Sequence, residues 1–238
     1  MLSIIIPTKN EETLLPRLLA SIKRQTVAPK EIIVADAWST DTTRLIAAAH
    51  GAIIVDGGMP AAGRNRGAEK ATGDVLLFLD ADVELTDPTF LERAAVDLEA
   101  RGLDVATCDV APLYGKRIDH YLHEAYNMYV RLWGATLPHA PGFCLFARHD
   151  IHRAIHGFDE TILFCEDHDY ARRAGKCGRF GFLNGVCVPA STRRLDRDGR
   201  LAVALKYTAA EFHLFFAPIR HAGFRYTFGH THSSDQTP

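Results

Sequence analysis

Val75-Leu76-Leu77-Phe78-Leu79-Asp80-Ala81-Asp82 is a run of five apolar residues that ends abruptly in two acids. Such a run is typical of a strand buried on both faces of a parallel sheet. Residues i and i+2 of a strand point to the same side, so Asp80 and Asp82 can converge beyond the strand end, where open α/β sheets bind ligands. Two converging carboxylates repel unless a cation lies between them. The stretch therefore predicts a metal–diphosphate site.

An isolated Asp-x-Asp has a simpler interpretation that must be weighed. Asp80 could open a loop or cap the next helix, and Asp82 could be solvated, because acids are common at such positions. Only the surrounding chain can decide between the two interpretations.

The first half of the chain alternates between apolar strands and amphipathic helices. We predict strands over residues 2–7, 31–36, 52–55 and 75–79, with helices over residues 13–25, from about 43 to 50, and 61–71. Short connections between alternating elements predict a right-handed, mostly parallel sheet with helices on both faces.

The second half is predicted to add two strands and three helices. The strands cover residues 103–108 and 141–147, and the helices cover 116–133, about 164–176 and 201–216. We divide the chain into a domain of residues 1–200 and a helical extension of residues 201–238. The extension is too short and too interrupted by Lys206, Glu211 and His213 to span a bilayer, so it should pack on the domain or lie at a membrane surface.

Composition excludes several classes of protein. The 238 residues are 47% hydrophobic and 24% charged, as in a soluble globular protein, and the net charge of −2 gives no electrostatic reason to bind nucleic acid. The five cysteines are odd in number and contain no CxxC pair, which argues against a disulfide framework or a zinc ribbon. The N-terminus lacks the pattern of a signal peptide. We therefore expect a cytoplasmic protein, with membrane association through the extension as an alternative.

The sequence lacks the glycine motifs that two common nucleotide-binding folds require. Asp36 ends the second predicted strand, as does the acid that holds a ribose hydroxyl in dinucleotide-binding folds. However, the first turn, Pro-Thr-Lys-Asn-Glu-Glu over residues 7–12, contains no glycine, and no GxxxxGK[ST] motif occurs in the chain. A bound diphosphate would therefore have to be neutralised by a metal and by side chains.

Four blocks of sequence carry a family resemblance. They read SIIIPTKNEE, EIIVADAWSTDTT, GRNRGAEKATGDVLLFLDADV and GFDETILFCEDHDYARRAG. In this order and spacing they resemble the family 2 glycosyltransferases, over most of residues 2–180. The resemblance implies a Rossmann-like GT-A fold, with a mostly parallel central sheet flanked by helices. It also implies inverting transfer of a sugar from a nucleoside diphosphate sugar to an acceptor hydroxyl, with Mn²⁺ or Mg²⁺ as the cofactor.

The resemblance also implies roles for individual residues. Asp167 matches the general base, Asp36 the acid at the nucleoside base, and Asp80 and Asp82 the metal ligands. The implied donor site consists of Pro7, Thr8, Asn10, Glu11, Asp36, Arg64, Asn65, Asp80, Ala81, Asp82, Arg193 and Arg194.

Two parts of this donor site have equally simple structural interpretations. Arg193 and Arg194 belong to a basic segment, residues 191–200, that is expected to be a loop closing over the diphosphate. A solvated loop is the alternative. Arg64 and Asn65 begin a helix that faces the strand ends, and a structural salt bridge would explain them as well.

One departure from the family pattern leaves a second function open. The family often has Asp-Asp-Gly-Ser where this chain has Asp36-Ala37-Trp38-Ser39. The missing second acid weakens any inference about which base is bound, although Trp38 offers a stacking surface. A nucleotide-sugar-binding or scaffold protein without turnover therefore remains an alternative. A nucleotidyltransferase is disfavoured, because the turn over residues 7–12 is acidic instead of glycine-rich and basic.

The partners follow from the same resemblance. We expect a nucleoside diphosphate sugar as donor and an acceptor that could be lipid-linked, with peripheral membrane contact and a homodimer as further hypotheses. His230 and His232 are candidates to complete a metal shell, but residues at a chain end are more often disordered.

Overall fold

The computed structural model describes residues 1–134 and 136–214. Its strands are β1 (Leu2–Thr8), β2 (Glu31–Asp36), β3 (Ile53–Asp56), β4 (Val75–Leu79), β5 (Val105–Leu113), β6 (Cys144–Arg148) and β7 (Phe180–Ser191). Its helices are α1 (Leu15–Lys23), α2 (Thr43–Ala49), α3 (Pro60–Lys70), α4 (Phe90–Ala100), α5 (Arg117–Trp133), α6 (His149–Ala154), α7 (Glu166–Cys177), α8 (Arg193–Asp198) and α9 (Arg200–Leu214).

The strands form one sheet in the order β3-β2-β1-β4-β6-β5-β7. Strands β3, β2, β1 and β4 are mutually parallel, β6 is antiparallel to both β4 and β5, and β7 is parallel to β5. Helices connect the parallel strands, as the alternation of patterns predicted. The predicted mostly parallel α/β sheet is therefore confirmed.

Strand β4 occupies the middle of the sheet and is buried on both faces. Leu77 and Leu79 belong to the apolar core on one face, and Leu76 and Phe78 to the core on the other. All four side chains are fully buried, and burial of such a side chain stabilises a fold by about 1.5–3 kcal/mol. The two-sided burial explains why the apolar run does not alternate with polar residues.

Helix α3 lies unusually close to the sheet because it presents glycines to it. A Cβ atom at Gly67 would overlap the side chain of Ile5, and one at Gly63 would lie 3.3 Å from the Cβ of Pro7. This close approach brings the beginning of α3 towards the carboxyl ends of β1 and β4, which positions Arg64 beside the acids after β4.

The β5–β7 side of the sheet departs from the sequence prediction. Strand β5 extends to Leu113 instead of residue 108, because its second half pairs with β7, for which the sequence analysis predicted no strand. The pairing of β5 with β7 shifts register between Thr107 and Asp109, and Gly185 within β7 has a φ of +67°. The expected loop over residues 191–200 is also wrong, since Arg193–Asp198 is the short helix α8.

Helix α9 begins at Arg200, one residue before the predicted extension, and contacts the preceding part of the chain. The Arg200 guanidinium donates hydrogen bonds of 2.7 and 2.8 Å to the buried carboxylate of Asp119, and the rings of Tyr207 and Phe164 lie 5.4 Å apart. His230 and His232 lie outside the described residues. Among the described helices, none has both the length and the apolar character needed to cross a bilayer.

Candidate functional site

The carboxyl ends of β1, β2 and β4 lie side by side and carry polar residues. Thr8 at the end of β1 pairs in register with Asp36 at the end of β2, while Asp80 directly follows β4. The end of β7 joins this edge, because the backbone N–H of Ser191 donates to the carbonyl of Asp82 at 2.9 Å. The edge therefore collects residues from four strands, including Arg193 just after β7.

Arg64 connects three elements at this edge. Its guanidinium donates to the Asp80 carboxylate at 2.8 Å, to Glu166 at 2.6 Å and to the Gly142 carbonyl at 3.2 Å. The Arg64 side chain is only 3% exposed, and its charge also lies 5.4 Å from the centre of the Phe158 ring. Burial alone would lower the pKa of Arg64, but the surrounding carboxylates raise it above its usual value. Arg64 is therefore a permanently charged link between α3, the end of β4 and the start of α7.

Asp80 has an unfavourable electrostatic environment despite this ion pair. Burial raises the pKa of Asp80 to about 7, and repulsion from Asp82 and Glu166 adds to the shift, against the attraction of Arg64. The Asp80 side chain is nevertheless 31% exposed, so it can be reached from solvent. A carboxylate in these surroundings would be stabilised by an additional cation.

Asp167 lies in the first turn of α7, beside Arg64. One of its oxygens, Oδ1, accepts hydrogen bonds from the backbone N–H of His168 at 2.9 Å and from the His168 ring Nδ1 at 3.0 Å. Although burial would raise the pKa of Asp167, the charges of His168 and Arg64 and the His168 hydrogen bonds lower it below its usual value. Its other oxygen, Oδ2, lies over Gly142, where a Cβ atom would be 2.9 Å from Oδ2 and 3.0 Å from Arg64 Nη2. Only glycine leaves room for both groups.

Arg193 closes the other side of the edge. It donates to both carboxylate oxygens of Glu11 at 3.1 and 3.2 Å, and to Asp82 at 3.4 Å. Burial raises the pKa of Glu11, while Arg193 opposes the shift. We refer to the combined group as the acid cluster, which comprises Glu11, Asp80, Asp82, Glu166, Asp167, Arg64 and Arg193.

The comparison with known proteins can now be added to this geometry. The family model described as "Glycosyl transferase family 2" matches residues 3–155. The chain belongs to glycosyl transferase family 2.

Curated relatives match part of this family 2 chain. It is 37% identical over 102 residues to the validoxylamine A glucosyltransferase of Streptomyces hygroscopicus subsp. limoneus, a match that covers 39% of this chain and 22% of the relative. It is 41% identical over 104 residues to a PGL/p-HBAD biosynthesis glycosyltransferase of Mycobacterium bovis, covering 40% of each chain. The chain therefore spans less than half of the length of these relatives.

Solved structures agree on the fold. S. aureus TarS 1-349 superimposes with a TM-score of 0.65 at 20% identity, covering 91% of this chain and 72% of TarS. A Pyrobaculum calidifontis mannosyltransferase, PcManGT, solved in complex with GDP-Man and Mn²⁺, gives a TM-score of 0.68 at 20% identity, covering 88% of this chain and 61% of that one. These similarities confirm the GT-A fold that the family 2 resemblance implied.

Several residues of the implied donor site have other partners in this family 2 chain. The Asn65 amide donates to the Phe158 carbonyl and to Glu160, both at 2.9 Å, and so braces a turn instead of joining the acid cluster. Arg194 donates to the Tyr207 hydroxyl at 2.6 Å. The Asn10 side chain accepts a hydrogen bond of 2.9 Å from the backbone N–H of Thr40.

The remaining members of the implied donor site lie at or beneath the strand ends. Pro7 and Ala81 are buried there, and Thr8 donates to the Asp36 carboxylate at 3.2 Å. Thr8 and Asp36 therefore belong to one network at the ends of β1 and β2, separate from the contacts of the acid cluster.

Three residues of the site were not singled out from the sequence. The sequence analysis gives Glu166 no role, but it is the second ion-pair partner of Arg64. The acidic pair Glu166-Asp167 was the available signal. Nothing in the sequence indicated that Gly142 lies under the Asp167 carboxylate or that the His168 ring bonds to it, because both contacts depend on how β6 and α7 pack.

Asp80 and Asp82 are the residues that could hold a metal ion. Across residues 1–134 and 136–214, no group of three or more His, Cys, Asp or Glu side chains is arranged to hold a metal. Two aspartates with excess negative charge fit a divalent cation whose other ligands come from a bound anion and water.

Proposed function

We propose that this family 2 chain transfers a sugar from a nucleoside diphosphate sugar to an acceptor hydroxyl with inversion at the anomeric carbon. The observation that carries the proposal is the acid cluster, in which Arg64 joins Asp80 to Glu166 directly beside Asp167. A diphosphate site and a general base must lie this close for in-line displacement. Membership of the family and the shared GT-A fold support the same reaction.

The charges of the acid cluster support a metal-dependent donor site. Five carboxylates share two guanidinium groups, so the cluster is net negative and would repel a diphosphate. We infer that Asp82 and Asp80 hold Mn²⁺ or Mg²⁺ together with the donor. When bound, the cation would neutralise the negative charge that develops on the leaving diphosphate.

Asp167 is the general base in this proposal. The helix N-terminus and the His168 hydrogen bonds favour its ionised form, and its lowered pKa keeps it ionised at neutral pH. Because Oδ1 is occupied by His168, Oδ2 is the oxygen that accepts the proton from the acceptor hydroxyl as the hydroxyl oxygen attacks the anomeric carbon. The diphosphate leaves from the opposite face of the sugar, which inverts the anomeric centre without a covalent intermediate.

The two arginines of the acid cluster have different roles. Arg64 is committed to Asp80 and Glu166, so it positions Asp80. Arg193 is 28% exposed and contacts Asp82 only at 3.4 Å, so it can turn from Glu11 to the leaving diphosphate.

Donor binding and turnover test this function separately. We expect UDP or GDP, or one of their sugars, to raise the Tm of the wild type in the presence of Mn²⁺ or Mg²⁺, and we expect EDTA or Asp82→Ala to remove the shift. Asp167→Asn should keep the binding and lose turnover, measured as donor hydrolysis and transfer. A wild type that binds donor without turnover would favour the nucleotide-sugar-binding alternative, and the absence of any binding would reject the donor site.

The wider predictions concern the acceptor and the extension. We propose that residues 1–200 hold the donor and that residues 201–238 serve either packing or attachment to a membrane that carries a lipid-linked acceptor. Co-sedimentation with liposomes would compare the whole chain with a truncation at residue 200, and equal binding would reject membrane attachment. The homodimer and the cytoplasmic location stay predictions, and gel filtration with light scattering would test the former.

A further inference from the structure

The carboxylate of Asp36 is fully engaged within the protein. It is buried and accepts hydrogen bonds from Thr8 Oγ1 at 3.2 Å, Ser39 Oγ at 2.5 Å, Ser39 N at 3.0 Å and Arg44 Nη1 at 3.3 Å. A carboxylate has about four lone-pair sites, and these four donors use them. Asp36 therefore has no acceptor site left for the N–H group of a nucleobase, although the family resemblance assigned it to the base.

The same network holds the neighbouring Trp38 in an unusual conformation. Trp38 has a φ of +53°, in the left-handed region that bulky residues rarely adopt. Hydrogen bonds fix the backbone on both sides, from Ala37 N to the Thr8 carbonyl at 2.8 Å and from Thr40 N to Asn10 Oδ1 at 2.9 Å. Backbone strain of this kind tends to occur at functional sites, where the surroundings enforce it.

The result of this conformation is an exposed indole at the ligand edge of the sheet. Trp38 is 65% exposed instead of packing into the core. It follows β2, which is separated from β4 by β1 alone, so the ends of these two strands lie about 9–10 Å, or two strand spacings, apart. That separation suits an extended nucleotide with its diphosphate at Asp80 and Asp82.

We propose that the indole of Trp38, and not the carboxylate of Asp36, holds the nucleobase of the donor by stacking. The inference rests on the proposed function and specifies how the donor site recognises its nucleotide. Stacking tolerates any base, because every base has a π face. The donor site therefore accepts purine and pyrimidine nucleoside diphosphates, and Asp36 serves to hold the loop that presents the indole.

The variant Trp38→Gly tests the proposal without threatening the fold. Glycine adopts a positive φ readily, so the variant should have a Tm equal to or above that of the wild type. Titrations with UDP, GDP, ADP and inorganic diphosphate, each with Mn²⁺, would compare the two proteins. Since stacking on one aromatic side chain contributes a factor of about 5 to 150 in affinity, we expect a loss of that size for all three nucleotides. Inorganic diphosphate should bind equally to both.

Fluorescence provides a second readout, because the chain contains only two tryptophans. The variant Trp133→Phe leaves Trp38 as the sole indole and serves as the matched control for nucleotide affinity. We expect nucleoside diphosphates to quench the Trp38 emission with saturation and inorganic diphosphate to leave it unchanged. Trp38→Phe, which keeps a ring, should lose less affinity than Trp38→Gly.

The possible outcomes separate this inference from the proposed function. Unchanged nucleotide affinity in Trp38→Gly, an equal loss for inorganic diphosphate, or binding of UDP that excludes GDP and ADP would overturn the role of Trp38 while leaving the donor site intact. If the wild type binds none of the nucleoside diphosphates, the proposed function itself fails, and the inference fails with it.

Discussion

Asp36 ends β2 and Asp80 follows β4, two strands away on the same edge of the sheet, yet their surroundings are opposite. Asp36 is buried among hydroxyl, amide and guanidinium donors that satisfy both of its oxygens. Asp80 has one cation, Arg64, and lies among further acids, and burial together with repulsion from those acids raises its pKa to about 7. Asp36 therefore supports the structure of its strand end, whereas Asp80 is part of the proposed ion site.

The difference between the two strand ends shows that position alone does not assign a role. Both acids match the family pattern, and both lie where α/β sheets bind ligands. What separates them is how many donors the neighbouring residues supply. The end of β2 supplies donors to both oxygens of its acid, whereas the end of β4 surrounds its acid with further carboxylates and a single guanidinium group.

The largest effect is expected for Asp167→Asn, which tests whether the general base lies beside the acids that follow β4. The amide can no longer accept the proton of the acceptor hydroxyl, so turnover should fall by about 10²- to 10⁴-fold. Donor affinity should change little, because Asp167 is not a donor ligand in the proposal. Initial rates of transfer or donor hydrolysis, together with calorimetric donor binding, would measure both. Full turnover by the variant would show that another residue acts as the general base.

The next largest effect is expected for Gly142→Ala, which perturbs the acid cluster without changing a charge. The new methyl group would lie within 3.0 Å of both Asp167 Oδ2 and Arg64 Nη2, so one of the two groups must move. A displacement of about 1 Å at a reacting group can lower kcat about 100-fold. Wild-type kcat for the variant would show that Asp167 is not held against Gly142 during turnover.

Gly51→Ala is the matched control for that substitution. Gly51 has a φ of +76° and open space around it, so alanine there should lower the Tm and leave kcat unchanged. Comparing the two variants separates a local effect on the acid cluster from a general loss of stability.

The contrast between the two strand ends can itself be measured as stability. Asp36→Asn replaces one acceptor oxygen with a donor that faces other donors, so it should lower the free energy of unfolding by about 1–3 kcal/mol. Asp80→Asn removes repulsion from Asp82 and Glu166 while Arg64 keeps Glu166, so without ligand it should be neutral or stabilising. Urea denaturation of both variants would test the pair. Equal destabilisation would abolish the contrast between the two strand ends.

The sequence predicted the β2 and β4 ends well because both strands carry local signals. Their runs over residues 31–36 and 75–79 have the predicted bounds; the first ends in an acid, Asp36, and the second is followed by one, Asp80. It predicted the β5–β7 side poorly because β7 contains Gly181, Gly185 and Pro189, which obscure a strand pattern. Strand β7 is stabilised by long-range pairing with β5, which no local pattern can indicate.

The candidate site shows the same limit at the level of side chains. Residue types at the strand end indicated a charged site at Asp80 and Asp82, and the family resemblance implied that Asp167 belongs to it. Whether Arg64 would bind a ligand or an ion-pair partner, and whether Asp36 would be available, depended on side chains up to 102 residues apart in the sequence. The packing of these side chains decides both points, so the sequence alone could not predict them.

The smallest effect is expected for His168, which positions Asp167 without touching the substrate. A carboxylate oxygen can only accept, so the His168 ring Nδ1 must donate to Asp167 Oδ1. His168→Phe removes the charge and the donor of the ring, so the pKa of Asp167 should rise, because its ionised form loses an attraction and a hydrogen bond. At a given acidic pH a smaller fraction of Asp167 is then ionised, and the acidic limb of the kcat/KM profile should move to higher pH, with kcat lower by about tenfold. His168→Asn should move the limb part of the way back, because its amide nitrogen can donate near the position of Nδ1 but carries no charge. If both variants lower kcat equally and the acidic limb of the kcat/KM profile does not shift, the role of His168 is limited to packing. The ionisation of Asp167 would then be set by Arg64 and the helix N-terminus.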